Sequence, residues 1–140
     1  MREGSEEYLD SEKYQIRIRN WQAPGIRELI ARVNTIRREH SALQQTNALS
    51  FHASDNGALL WFSKEGDGGD RVFVAVNTDP HAMQHGFLEM PLDDMDVPDD
   101  ATYEMEDLLD GSRYTWNGRR NYVKLDPAER MAHIFVMRPA

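Results

Sequence analysis

The sequence predicts a mostly β fold, in which one N-terminal helix precedes an antiparallel β-sandwich of about eight strands. Three observations carry this. From residue 48 onward, short β-prone runs recur at near-regular intervals; Gly, Asp, Asn and Pro separate them; and the one stretch with apolar residues at helical spacing lies ahead of them all. At 140 residues, the chain fits one compact domain able to bury roughly two-thirds of its unfolded surface.

Residues 1–22 are highly charged and follow neither a twofold nor a 3.6-residue period. They are too long for an ordinary connection, whose median is about 4–6 residues, and loops of such length tend to be functional. Next, Pro24 suits a first helical turn, and Ile26, Leu29, Ile30, Val33 and Ile36 form one stripe. Arg37, Arg38 and His40 gather where positive charge favours a helix C-terminus. A helix over about 24–40 follows.

Eight strands are expected at 48–53, 58–63, 71–77, 85–90, 102–106, 113–116, 119–125 and 132–138. The second and third are continuously apolar, which predicts central strands covered on both faces, joined by the flexible hairpin loop Glu65-Gly66-Asp67-Gly68-Gly69-Asp70. Asn117-Gly118 predicts a two-residue type I′ hairpin, since both of its central positions need positive φ. In that register Trp116 faces Arg119 and Tyr114 faces Asn121. Tyr114, Trp116, Val123 and Leu125 then share the core side, while Arg113, Thr115, Arg120, Tyr122 and Lys124 share the other.

Composition narrows the function classes. The chain is 40% hydrophobic and 29% charged, and nothing approaches the ~20 apolar residues of a membrane span. No secretory signal is visible and cysteine is absent, which fits a cytoplasmic protein. Of the net charge of −8, nine acids without a single Lys or Arg fall between Asp93 and Asp110, and the rest is nearly neutral. A nucleic-acid partner is therefore not expected. The cluster Asp93-Asp94-Met95-Asp96-Val97-Pro98-Asp99-Asp100 lacks the spacing and Gly of a calcium loop and reads as a solvated loop. His81 and His85 flank a turn without a third ligand nearby, so zinc is not expected, and His133, within an apolar strand, reads as a hydrogen-bonded structural histidine. No cofactor is implied.

The tract Gly4-Ser5-Glu6-Glu7-Tyr8-Leu9-Asp10-Ser11-Glu12-Lys13-Tyr14 resembles the segment after the last barrel strand in the maltosyltransferases of the α-amylase superfamily. Trp21, Pro24-Gly25-Ile26-Arg27 and Ile36-Arg37-Arg38-Glu39-His40 look like the eighth barrel helix of that family. Val76-Asn77-Thr78-Asp79-Pro80-His81 and Leu108-Leu109-Asp110-Gly111-Ser112-Arg113-Tyr114-Thr115-Trp116 look like its C-terminal domain. The resemblance implies that residues 1–45 end a catalytic barrel, and that 46–140 form a sandwich of the α-amylase C-terminal type. It further implies a parent enzyme that moves maltosyl units from maltose 1-phosphate onto α-1,4-glucan, as a homodimer.

Loops after barrel strands line the substrate cleft. The resemblance accordingly implies that Lys13 and Tyr14 contact the donor sugar, with Glu7 a further candidate. They bind and do not catalyse. Retaining chemistry in the superfamily needs two carboxyl groups about 5–5.5 Å apart, and both lie on earlier barrel strands whose motifs do not occur here. The segment is expected to be inactive by itself. Its helix stripe is expected to pack on the barrel in the full protein, and without it to dock on the sandwich or pair with another copy. Two rival readings share this fold, a carbohydrate-binding module and a dimerisation module. A sugar platform of Trp61, Trp116, Tyr114 and Tyr122 is disfavoured by the register, which leaves only Tyr122 exposed.

Overall fold

The computed structural model describes residues 26–138. One helix, α1 (Ile26–Glu39), is followed by eight strands: β1 (Leu49–Phe51), β2 (Leu59–Glu65), β3 (Arg71–Asn77), β4 (Gln84–Glu89), β5 (Thr102–Asp107), β6 (Arg113–Asn117), β7 (Arg120–Leu125) and β8 (Ala132–Arg138). Each predicted strand is present, with ends shifted by at most two residues. Pro24 lies outside the described residues.

The strands form two antiparallel sheets, one ordered β1-β2-β3-β8-β5-β6 and the other β4-β7. Period-two alternation turns Leu59, Trp61, Phe73, Tyr103, Met105, Trp116 and Phe135 of the large sheet toward Leu88, Met90, Val123 and Leu125 of the small one. Aromatic rings dominate this core. Trp61 stacks on Phe73 at 5.5 Å between centroids, and Trp116 meets Phe135 edge-on at 5.5 Å. Each such side chain contributes ~1.5–3 kcal/mol by burial. The Trp61 indole N–H donates to the Glu89 carbonyl at 2.8 Å, tying the two layers together.

β2 and β3 are interior strands of the large sheet, as their apolar runs predict. Their outer face is covered only in part, for Leu60 is 39% exposed whereas Val72 is fully buried. The cover over Val72 comes from the exit of α1: Ile36 and Ala42 pack there with Leu108 and Val136. Asp70, at the foot of the β2–β3 hairpin, accepts the Ala42 amide at 3.0 Å and contacts the His40 ring at 2.8 Å. Burial would raise its pKa, but these partners outweigh it and hold the carboxyl below its ordinary value. Gly66 must lack a side chain, since a Cβ there would lie 2.2 Å from the Ala42 nitrogen.

The Asn117-Gly118 hairpin does not form. β6 pairs with β5, Asn117 opposite Thr102, and β7 pairs with β4, so the chain changes sheets at this corner. Gly118 has φ 61°, whereas Asn117 is not among the positive-φ residues, and a type I′ turn needs both. The corner is instead pinned by Asn121, whose Oδ1 accepts the Asn117 amide at 2.9 Å and whose Nδ2 donates to the Gly118 carbonyl at 3.0 Å. The Tyr103 hydroxyl donates to the same carbonyl at 2.7 Å. Burial pushes that phenol up to about 12, against the opposing hydrogen bond from Asn121.

The helix stripe docks only at its C-terminal end. Ile36 is buried, and the Arg32 Nε donates to the Leu108 carbonyl at 2.6 Å. Ile26 and Ile30 are 70% and 55% exposed, and Leu29 and Val33 are also exposed, so of the two expected homes for the stripe, the sandwich or another copy, the sandwich takes only Ile36.

Candidate functional site

The predicted donor-sugar contacts Glu7, Lys13 and Tyr14 lie outside the described residues. Within 26–138, side chains with unused binding capacity converge at one end of the sandwich. The cause is a mismatch of widths: two strands face six. The β4-β7 layer leaves the inner face of β6 partly uncovered at Tyr114, and a cleft of about 470 Å³ opens there. That volume falls within the range of ~300–1,000 Å³ typical of small-ligand sites.

Tyr114 and Trp116 from β6 line one side, and Tyr122 and Lys124 from β7 the other. Tyr114 does point to the inner face, as the strand period predicts, and its ring meets His133 and Phe135 edge-on at 5.6 and 5.8 Å. It is nevertheless 37% exposed, because no strand of the small sheet lies over it. Tyr122, at 51%, is exposed as expected. Trp61 and Trp116 are core residues. Of the four aromatics considered as a platform, therefore, Tyr114 and Tyr122 are available together, which corrects the expectation that Tyr122 stands alone.

The floor is held by a buried ionic network that sequence reasoning missed. Asp107, fully buried, takes the His133 Nδ1 at 2.7 Å and the Arg130 Nη1 at 2.6 Å on one oxygen. Its other oxygen accepts the amides of Leu109 and Ile134 at 3.0 and 3.2 Å. His133 is thus the hydrogen-bonded structural histidine its position predicts. A carboxylate this close requires Nδ1 to carry the proton. Arg130 also pairs with Asp110. Burial would lower the guanidinium's pKa, but Asp110 and Asp107 outweigh it and leave that value raised. Burial likewise opposes ionisation of Asp110, yet the Ser112 amide and Arg130 bring its pKa down to about 2.

One signal for Asp107 is present in the sequence. Tyr103, Met105 and Asp107 alternate along β5, so the aspartate takes an inward register position where an unpaired charge is not tolerated. The rest of the acidic stretch is surface. Asp93 and Asp99 both bind the Arg119 guanidinium, at 2.8 and 2.6 Å, and Glu104 and Glu106 pair with Arg113 and Arg138. Among the described residues, no group of three or more His, Asp or Glu is placed to hold a metal ion.

A carboxylate committed to four partners is a structural ion. The arrangement is suited to holding a ligand.

Comparison with known proteins places the fold. The chain is 45% identical over 138 residues to the alpha-1,4-glucan:maltose-1-phosphate maltosyltransferase of Rhodospirillum rubrum, an alignment covering 97% of this chain and 20% of that protein. It is 44% identical over 146 residues to maltosyltransferase 2 of Streptomyces coelicolor, covering all of this chain and 22% of that protein. With the Picrophilus torridus maltosyltransferase the identity is 36% over 137 residues, 97% of this chain and 21% of that protein. The chain thus spans about a fifth of the length of the curated relatives it matches. The family described as "GLGE, C-terminal" matches residues 51–137, which run from the end of β1 almost to the end of β8. The chain belongs to the GLGE C-terminal family.

Proposed function

We propose that this chain is the non-catalytic C-terminal segment of a maltosyltransferase that transfers maltosyl units from maltose 1-phosphate to α-1,4-glucan. The observation that carries the reading is the alignment of nearly the whole chain with about a fifth of each maltosyltransferase. The exposed stripe Ile26, Leu29, Ile30 and Val33 supports it physically, since an apolar helix face needs a partner. The larger catalytic part, a barrel of the α-amylase type, supplies that partner. Residues 1–45 complete the barrel and 46–140 form the sandwich. Lys13 and Tyr14, with Glu7 beside them, contact the donor sugar, Lys13 by donating to hydroxyls and Tyr14 by offering a ring face and a phenol. The complete enzyme works in the cytoplasm as a homodimer.

A segment replacement tests this. The matching part of the Rhodospirillum rubrum enzyme is exchanged for this chain, and phosphate release from maltose 1-phosphate is followed with a glucan acceptor. The hybrid is expected to turn over, and Tyr14→Ala within it to raise KM for the donor more than it lowers kcat. A folded hybrid without turnover contradicts the reading.

A further inference from the structure

We propose that the cleft between β6 and β7 is a binding site for a neutral gluco-oligosaccharide, a glucan-holding site separate from any catalytic centre. The glucan identity rests on the maltosyltransferase reading above; the existence of the site rests on its own geometry.

Four features point to this ligand class. First, the rings of Tyr114 and Tyr122 are both exposed at one cleft, and Tyr122 continues onto Phe87 at 5.7 Å and His85 at 5.8 Å on the outer face of the small sheet. The C–H faces of a pyranose pack against such rings. Second, the cleft is lined by two cations, Lys124 and Arg130, and two carboxylates, Asp126 and Glu129. Arg130 is already engaged by Asp107 and Asp110. A site so balanced has no preference for an anion, which argues against phosphate and for an uncharged polar ligand.

Third, hydrogen-bonding capacity is unused. The phenol oxygens of Tyr114 and Tyr122 and the side-chain ends of Lys124 and Glu129 make no hydrogen bond among the described residues. Hydroxyls that both donate and accept match this mixture, which an apolar peptide does not. Fourth, the rim includes a strand edge that pairs with no strand among the described residues. The Glu89 amide turns to the Ala53 carbonyl while the Met90 amide bonds the Arg119 carbonyl. Antiparallel alternation from that register turns the backbone groups of Tyr122 and Lys124 away from β4, toward the free edge of β7.

The test is titration of maltoheptaose into the purified chain, read by amide and aromatic NMR shifts, with inorganic phosphate as a parallel arm. Saturable shifts are expected around β6 and β7, with affinity falling about tenfold, ~1.4 kcal/mol, in Tyr122→Ala and in Tyr114→Ala. Both side chains are partly exposed, so unchanged thermal unfolding of the variants is expected and confirms that the loss is local. Absence of saturable binding overturns the proposal, as does binding that neither variant weakens, or a phosphate response with none to maltoheptaose. The two readings fail separately. A working hybrid enzyme with no maltoheptaose binding to the chain removes only the cleft site, and maltoheptaose binding with a dead hybrid removes only the maltosyltransferase reading.

Discussion

Asp107→Ala is expected to destabilise the folded chain by about 3–5 kcal/mol, a large fraction of a typical domain's stability. The cost does not arise from lost hydrophobic area, since aspartate contributes little. It arises from what is left behind. Arg130 and His133 lose the carboxylate that both of them bind at 2.6 and 2.7 Å. The amides of Leu109 and Ile134, which reach the other oxygen, are also left without an acceptor. These partners come from the β5–β6 turn, the loop before β8 and β8 itself, so one side chain closes the end of the sandwich. Urea unfolding provides the measurement: the midpoint should fall sharply with little change in slope. A shift worth less than about 1 kcal/mol would show that solvent screens this network despite its burial.

The second expectation concerns Ile30, and it differs between two contexts. In the isolated chain Ile30 is 55% exposed, so Ile30→Asp should change stability by no more than about 0.5 kcal/mol, as at other surface positions. In the hybrid enzyme the same change removes a buried aliphatic side chain, worth ~1.5–3 kcal/mol, and places a carboxylate against an apolar partner at further cost. Thermal unfolding of both proteins reads the contrast. Ile36→Asp serves as the reference because Ile36 is buried within the chain itself, and it should destabilise both. Equal effects of Ile30→Asp in the two contexts would mean that the stripe has no partner in the longer protein. Self-association of the isolated chain, reduced by Ile30→Asp, would further mark the stripe as a face in need of cover.

What the sequence reveals here follows from which signals are local. Strand positions are legible because alternation and turn residues act over a few neighbours, and so the eight runs from Leu49 to Arg138 were recoverable. The side toward which Tyr114 and Tyr122 point was legible for the same reason. Pairing was not. Asn117-Gly118 carries the strongest hairpin signal in the chain, yet Asn121 captures the Asn117 amide and sends β7 to the other sheet. The exposure of Tyr114 also escaped, because it depends on how many strands the opposite layer contains. Asp107 lies within a run of nine acids; only its register with Tyr103 and Met105 sets it apart. The helix stripe was legible as apolar, but among the described residues only Ile36 of it finds cover.

We propose that this chain supports a sugar-transferring enzyme without performing the transfer. The most direct measurement mixes the purified chain with maltose 1-phosphate and a glucan acceptor and follows free phosphate. The expected result is release at the spontaneous rate alone. Release above that rate, abolished by replacing one acidic residue of the chain, would contradict the account.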